Sequence, residues 1–241
     1  MENLEGQVCL VTGATRGIGR AIATMFLEQK CSVVICARKQ HEVDAAVREM
    51  AAATGGKVAG KAADVRDYDE VRELFSFADR QFARLDILVN NAGVGIFAPV
   101  SQLSVEDWRR VVDTNLTGAF YCTREALFRF AAGTGDGGYI VNISSLAGKN
   151  AFAGGSAYNA SKFAMTGFSE AVMLDERHNG VRVSYIMPGS VATEFGGHRA
   201  GEGSDWKIST QDVAEIVRML VGMPKRTLIS RIEVRPSRPK R

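Results

Sequence analysis

Apolar positions along the chain fall into two rhythms. Short uninterrupted runs recur near 7–12, 32–37, 57–62, 86–89, 138–143, 181–187 and 231–235, each the length of a strand covered on both faces. Between these runs apolar residues return every three or four positions. Ile18, Ile22, Met25 and Phe26 follow the first run in this way, and the same spacing predicts helices near 41–53, 67–83, 104–131, 157–177 and 210–221. Strands alternating with helices are joined by crossovers and run parallel, so the pattern predicts an α/β fold, a doubly wound parallel β-sheet flanked by helices on both faces. No proline- or serine-rich linker and no internal repeat breaks the alternation, and residues 1–241 read as a single domain. Ligands on such sheets bind beyond the carboxyl ends of the strands, which directs attention to the residues that follow each apolar run.

The first strand is followed by Thr12-Gly13-Ala14-Thr15-Arg16-Gly17-Ile18-Gly19. Glycines in a strand-to-helix turn permit tight backbone geometry and close approach of a pyrophosphate, and the helix amino terminus adds unpaired N–H groups at the positive end of its dipole. The loop predicts a dinucleotide site on a Rossmann-type sheet. The second strand delivers Ala37-Arg38-Lys39 where dinucleotide folds choose their cofactor. An acid there would bond the ribose hydroxyls of NAD, whereas arginine pairs with the 2′-phosphate of NADP. Arg38 and Lys39, with Arg16 from the glycine loop, favour NADP(H) over NAD(H). Asp64-Val65 after the third strand and Asn91-Ala92-Gly93 after the fourth are candidates for the adenine side, where small residues let backbone come close.

The segment Ser156-Ala157-Tyr158-Asn159-Ala160-Ser161-Lys162 sets a phenol and an ammonium group four residues apart, about one helical turn. A free tyrosine titrates near ~10, so a neighbouring positive charge is needed before its proton moves readily at neutral pH, and Lys162 is placed to supply it. The fifth strand delivers Ser144-Ser145 to the same edge, thirteen residues before Tyr158. Asn115 falls inside a predicted helix, where an asparagine is by itself an ordinary polar residue.

Taken in order, the Thr12 to Gly19 loop, Asn91-Ala92-Gly93, Asn115, Ser145, the Tyr158-x-x-x-Lys162 pair, and Pro188-Gly189 followed by Thr193 resemble the short-chain dehydrogenase/reductase family over nearly the whole chain. The resemblance implies an oxidoreductase that interconverts a carbonyl and a secondary alcohol, using NADP(H). It implies that Tyr158 is the general acid in reduction and the base in oxidation, and that Ser145 bonds the substrate oxygen. Lys162 would hold the nicotinamide ribose and favour the phenolate, Asn115 would orient a water that relays protons towards Lys162, and Val191 and Thr193 would contact the carboxamide. It further implies a homodimer or homotetramer, in keeping with the helix near 157–177, which carries more apolar residues than one sheet-facing stripe needs.

Composition narrows the setting. With 46% hydrophobic and 24% charged residues the chain reads as globular, and its first residues have neither the basic start nor the apolar run of a signal peptide. No segment approaches the ~20 apolar residues that span a bilayer, so a cytoplasmic protein without membrane attachment is expected. Cys9, Cys31, Cys36 and Cys122 lie in or beside apolar runs and read as small buried hydrophobes, and His41, His178 and His198 lack ligand spacing, which predicts no metal. The net charge of +3 comes from the carboxyl terminus, where residues 231–241 hold five basic residues against one acid; 236–241 is a basic tail without interleaved aromatics, and no nucleic-acid partner is expected.

The substrate side is less defined. Four glycines within 194–209 predict a mobile lid. Phe97, Leu146, Phe152 and Val191 are candidates to line the pocket, with Phe195 and Trp206 as apolar residues of the lid, and a small, mostly apolar carbonyl compound is the expected partner. One family activity is reduction of 3-oxoacyl groups on acyl carrier protein. The 131–138 connection offers no base to dock that acidic partner, and the 227–236 segment departs from the glycine-rich ending of those reductases; both observations lower that assignment and leave it as the alternative. A non-catalytic dinucleotide-binding regulator is the remote alternative, against which the set Ser145, Tyr158 and Lys162 counts directly.

Overall fold

The computed structural model describes residues 1–133, 137–193, 195 and 205–239. Seven strands, β1 (Val8–Thr12), β2 (Ser32–Ala37), β3 (Val58–Ala62), β4 (Ile87–Asn90), β5 (Tyr139–Ile143), β6 (Arg182–Pro188) and β7 (Arg231–Val234), form one sheet in the order β3-β2-β1-β4-β5-β6-β7, with every pair parallel. The chain winds outward from β1 to β3, returns to the middle, and winds the other way from β4 to β7. Between β1 and β4 the winding reverses, and the crevice at their carboxyl ends is where such a sheet receives a ligand.

Helices α1 (Gly17–Glu28), α2 (Gln40–Thr54), α3 (Tyr68–Phe82), α4 (Val105–Val112), α5 (Gly118–Ala132), α6 (Ser156–Glu176) and α7 (Thr210–Val221) cover the sheet. Because side chains alternate along a strand, β1 sends Cys9 and Val11 to one face, where they pack with Ile22 and Phe26 of α1 and Val217 and Leu220 of α7, and Leu10 to the other, with Leu74 and Phe75 of α3 and Ala126 of α5. Burial on both faces explains why β1, β4 and β5 read as continuous apolar runs. All four cysteines are buried.

Side-chain caps fix three of the seven described α-helix starts. Asp67 accepts from the amides of Asp69 and Glu70, Ser104 accepts from Asp107, and Ser209 and Asp212 form a reciprocal capping box. At α1 the N-cap residue is Arg16, whose side chain makes no capping bond, and no acid stands in the first turn. Its amino terminus is left facing the crevice. The helix predicted over 104–131 is instead α4 and α5 separated by a π-helical turn at Asp113–Thr117, which carries Asn115. Among the described residues no helix is long and apolar enough to cross a membrane.

Candidate active site

The crevice at the carboxyl ends of β1, β2, β4, β5 and β6 is a cleft of about 1130 Å³. One end is built by the glycine loop. Gly13 has φ +64, and a Cβ there would meet Ala92 Cα at 2.9 Å, so glycine is required both by conformation and by the loop after β4. That loop is tied down by Asn91, whose Nδ2 donates to the Thr12 carbonyl at 2.9 Å and to the Gly13 carbonyl at 3.0 Å, while the Thr12 hydroxyl accepts from the Asn91 and Ala92 amides at 3.0 Å each. Asn91 lines the cleft, yet its amide nitrogen is spent on the chain. Gly19 lies behind the loop, where a Cβ would fall 2.4 Å from Asn91 Nδ2 and 2.5 Å from the Gly13 oxygen. It shapes the turn and does not line the cleft.

Gly13, Thr15, Arg16, Gly17, Ile18, Arg38, Lys39, Asp64, Val65, Asn91, Ala92 and Gly93 line the cleft together, as the sequence pattern predicts. The polar end also holds residues the sequence pattern did not single out, Arg20, Thr24 and Glu42 among them. Glu42, in the first turn of α2, takes Lys39 in an ion pair at 2.9 Å, and the Lys39 ammonium holds its carboxyl below the usual range. Lys39 is thus shared with an acid three residues on, while Arg38 stands exposed at the carboxyl end of β2. Asp64 is gripped by Arg66 at 2.5 Å, and that contact, chiefly through its hydrogen bond, lowers the Asp64 carboxyl. Lys207, Thr210 and Gln211 also line the wall. They reach it because Ile208 pairs with Val191 in a parallel bridge, a long-range contact that no local pattern signals.

The other end gathers Ser145, Tyr158 and Lys162. Ser145 is set by the end of β5 and the short 3-10 turn after it, its hydroxyl accepting from the Ala147 amide at 3.1 Å. Tyr158 and Lys162 stand one turn apart on α6, both buried. Burial pushes the Tyr158 phenol above its ordinary range, and a hydrogen bond with Ser145 draws it partly back. The Lys162 ammonium, 5.8 Å from the phenol ring centroid, is itself pushed down to about 8 by burial, and it donates to the Ile143 carbonyl at 2.8 Å. The sequence pattern predicts that Lys162 lowers the phenol. In the folded chain burial raises the phenol, and the hydrogen bond with Ser145 is the contact that lowers it.

Asn115 is almost wholly buried, with Oδ1 accepting from the Val94 amide at 2.8 Å and Nδ2 donating to the Val94 carbonyl and the Ser161 hydroxyl at 3.0 Å each. It joins the π-turn, the loop after β4 and α6 directly behind Gly93. Pro188, Gly189, Val191 and Thr193 close the cleft from β6, with Thr193 Cγ2 lying 3.6 Å from the point a Gly17 Cβ would occupy. Phe195 lines the cleft and its ring centroid is 5.6 Å from that of Tyr158. Phe97 and Phe152 do not line it. Phe97 packs edge-on against Tyr158 at 5.6 Å and Phe152 lies beside Phe97 at 5.7 Å. Leu146 packs against Gly189. Of the lid expected over 194–209, residues 194 and 196–204 lie outside the described residues.

The family model described as short chain dehydrogenase matches residues 7–202. The chain belongs to the short-chain dehydrogenase/reductase family. Among curated relatives of this dehydrogenase, 3beta-hydroxysteroid dehydrogenase of Mediterraneibacter gnavus is 38% identical over 194 residues, covering 80% of this chain and 69% of the relative. The 3-oxoacyl-[acyl-carrier-protein] reductase of Synechocystis is also 38% identical, over 196 residues, covering 81% and 78%. A solved metagenomic short-chain oxidoreductase in complex with NADP superposes with a TM-score of 0.85 at 35% identity, covering 99% of this chain and all of the other. The family match makes the chain an oxidoreductase acting between an alcohol and a carbonyl.

Proposed function

We propose that this dehydrogenase is an NADP(H)-dependent reductase of small carbonyl compounds in which Tyr158 is the general acid. The observation that carries the reading is the convergence of Ser145 and Lys162 on a buried Tyr158 at one end of a cleft whose other end is the glycine loop and Arg38. The cleft suits a dinucleotide on its own terms. The uncapped start of α1 offers amide N–H groups and a dipole end to a pyrophosphate, and the glycines leave room for it. Exposed Arg38 at the end of β2 favours a 2′-phosphate, and the NADP held by the metagenomic relative supports the same preference.

When bound, the reduced nicotinamide supplies a hydride to the carbonyl carbon. The chain's own part is to hold the carbonyl and deliver a proton. Ser145 donates to the carbonyl oxygen and opposes the charge that develops there, and Tyr158, kept protonated by burial, gives that oxygen its proton. Lys162 holds ribose hydroxyls and favours the phenolate once the proton has left. In Asn115 both Nδ2 hydrogens are engaged, so a water relaying protons towards Lys162 would have to use its backbone or the remaining Oδ1 lone pair.

Two relatives of equal identity are named for a steroid and for an acyl thioester, so kinship alone does not choose the substrate. The reading is tested by mixing the protein with NADPH or NADH and following reduced-nicotinamide absorbance across ketones, diketones, quinones and 3-oxoacyl thioesters. NADPH-selective consumption on a carbonyl is expected. Tight NADPH binding with no consumption on any class would favour the regulator.

A further inference from the structure

We infer that an aromatic cluster gathered over Gly95 beside the Tyr158 end of the cleft, with Phe195 on the cleft wall, is a clamp that selects flat ring-bearing ketones over linear acyl chains. The inference rests on Tyr158 being the proton donor. Two phenylalanine rings flank its phenol: Phe97 edge-on with an interplanar angle of 78°, and Phe195 tilted at 53°, each 5.6 Å away. Phe152 extends the wall beyond Phe97. These are preferred spacings for aromatic pairs, and a planar guest can join such a set by stacking or edge contact.

The three rings are 39–47% exposed, clustered beside a reactive group. Clustered exposed apolar surface of this kind marks a binding site more often than scattered single residues do. Gly95 explains how the rings come together. A Cβ at position 95 would sit 2.7 Å from Phe195 Cε1 and 2.8 Å from Phe97 Cζ, so both rings converge on one residue that has no side chain. No positive φ is involved at Gly95, and the atoms in the way are ring edges, so an added methyl moves the rings without straining the backbone. A linear acyl chain gains little from ring faces at this spacing, whereas a fused-ring ketone laid against the exposed faces directs its carbonyl at Tyr158 and Ser145. The chemistry is that already described: the carbonyl carbon takes a hydride with its electron pair from NADPH, the oxygen takes the Tyr158 proton, and a secondary alcohol and NADP⁺ result.

The test compares 1-tetralone, 2-heptanone and an acetoacetyl thioester as substrates of the wild-type protein and of Phe97→Ala, Phe152→Ala and Gly95→Ala. The wild-type kcat/KM is expected to favour 1-tetralone by about tenfold or more. Phe97→Ala and Gly95→Ala should each cut the ratio of 1-tetralone to 2-heptanone kcat/KM by roughly tenfold, equivalent to about 1.4 kcal/mol. Equal or better turnover of the linear substrates, or a preference that survives Phe97→Ala and Gly95→Ala, overturns the clamp. Saturation-transfer NMR of 1-tetralone and 2-heptanone with NADP⁺-bound Tyr158→Phe protein reads ring binding without turnover. Stronger transfer to 1-tetralone supports the clamp even if no ketone is reduced, a result that sinks only the reductase reading, and equal transfer overturns the clamp.

Discussion

At the scale of single residues, the account turns on which charges are free to act. Lys39 is paired with Glu42, and under the proposed function Arg38 is then the main reader of a 2′-phosphate at the end of β2. A charge-assisted bond of this kind contributes roughly 1.5–3 kcal/mol, so Arg38→Ala should weaken NADPH binding by about ten- to a hundredfold and NADH binding by less than about threefold. Fluorescence titration with both nucleotides checks this, and an equal loss for both would show that Arg38 does not read the phosphate. Arg38, Lys39 and Arg16 were legible because residue type and distance from the glycine loop suffice to place them. Glu42 was not, since an acid in a helix's first turn is ordinarily read as complementing the dipole. The Tyr158 and Lys162 pair was legible for a similar reason, being one turn of α6. The balance acting on the phenol was not, because desolvation depends on Phe97, Phe195 and the β5 end packing around it.

At the scale of elements, the π-turn between α4 and α5 is the clearest departure from the periodic pattern. Apolar spacing runs through 104–131 almost unbroken and predicts one helix. A π-turn inserts a single residue of extra winding and shifts the following face, which periodicity registers only weakly. Here the inserted turn brings Asn115 inward to bind Val94 and Ser161. Asn115→Leu would leave the Val94 amide and carbonyl and the Ser161 hydroxyl without this partner, and a buried orphan costs about 1–3 kcal/mol. A fall in stability of about 3 kcal/mol is expected, seen as a lower urea midpoint with the m-value unchanged; an unchanged midpoint would mean that Asn115 does not hold these elements together. By contrast the seven strands match the apolar runs to within a residue or two, since the central ones are buried on both faces and all are bounded by polar or glycine-containing segments.

At the scale of the whole molecule, periodicity established alternating strands and helices but not the order of strands in the sheet, nor the reversal between β1 and β4. The glycine loop and the family resemblance implied a Rossmann-type sheet, and the strand order itself comes from the folded chain. The substrate end was the least legible because Phe97, Phe152 and Phe195 come from three separate loops and meet only in the folded chain. On the outer surface Phe120 and Phe128 of α5 and Phe163 and Leu174 of α6 are exposed, and Phe120 meets Phe168 across the two helices. A second copy covering this surface would give a dimer or tetramer. Sedimentation at micromolar concentration is expected to show one of these, and a monomer would contradict this use of α5 and α6.

The measurement closest to the central claim compares wild-type protein with Tyr158→Phe, following NADPH binding and NADPH consumption on the best carbonyl of the panel. The phenylalanine keeps the ring packed between Phe97 and Phe195 and removes only the hydroxyl that Ser145 contacts. The account predicts NADPH affinity within about threefold of wild type and turnover lowered by at least ~100-fold, the usual loss with a general acid. Turnover retained in Tyr158→Phe would contradict it, because the proton would then be coming from somewhere else.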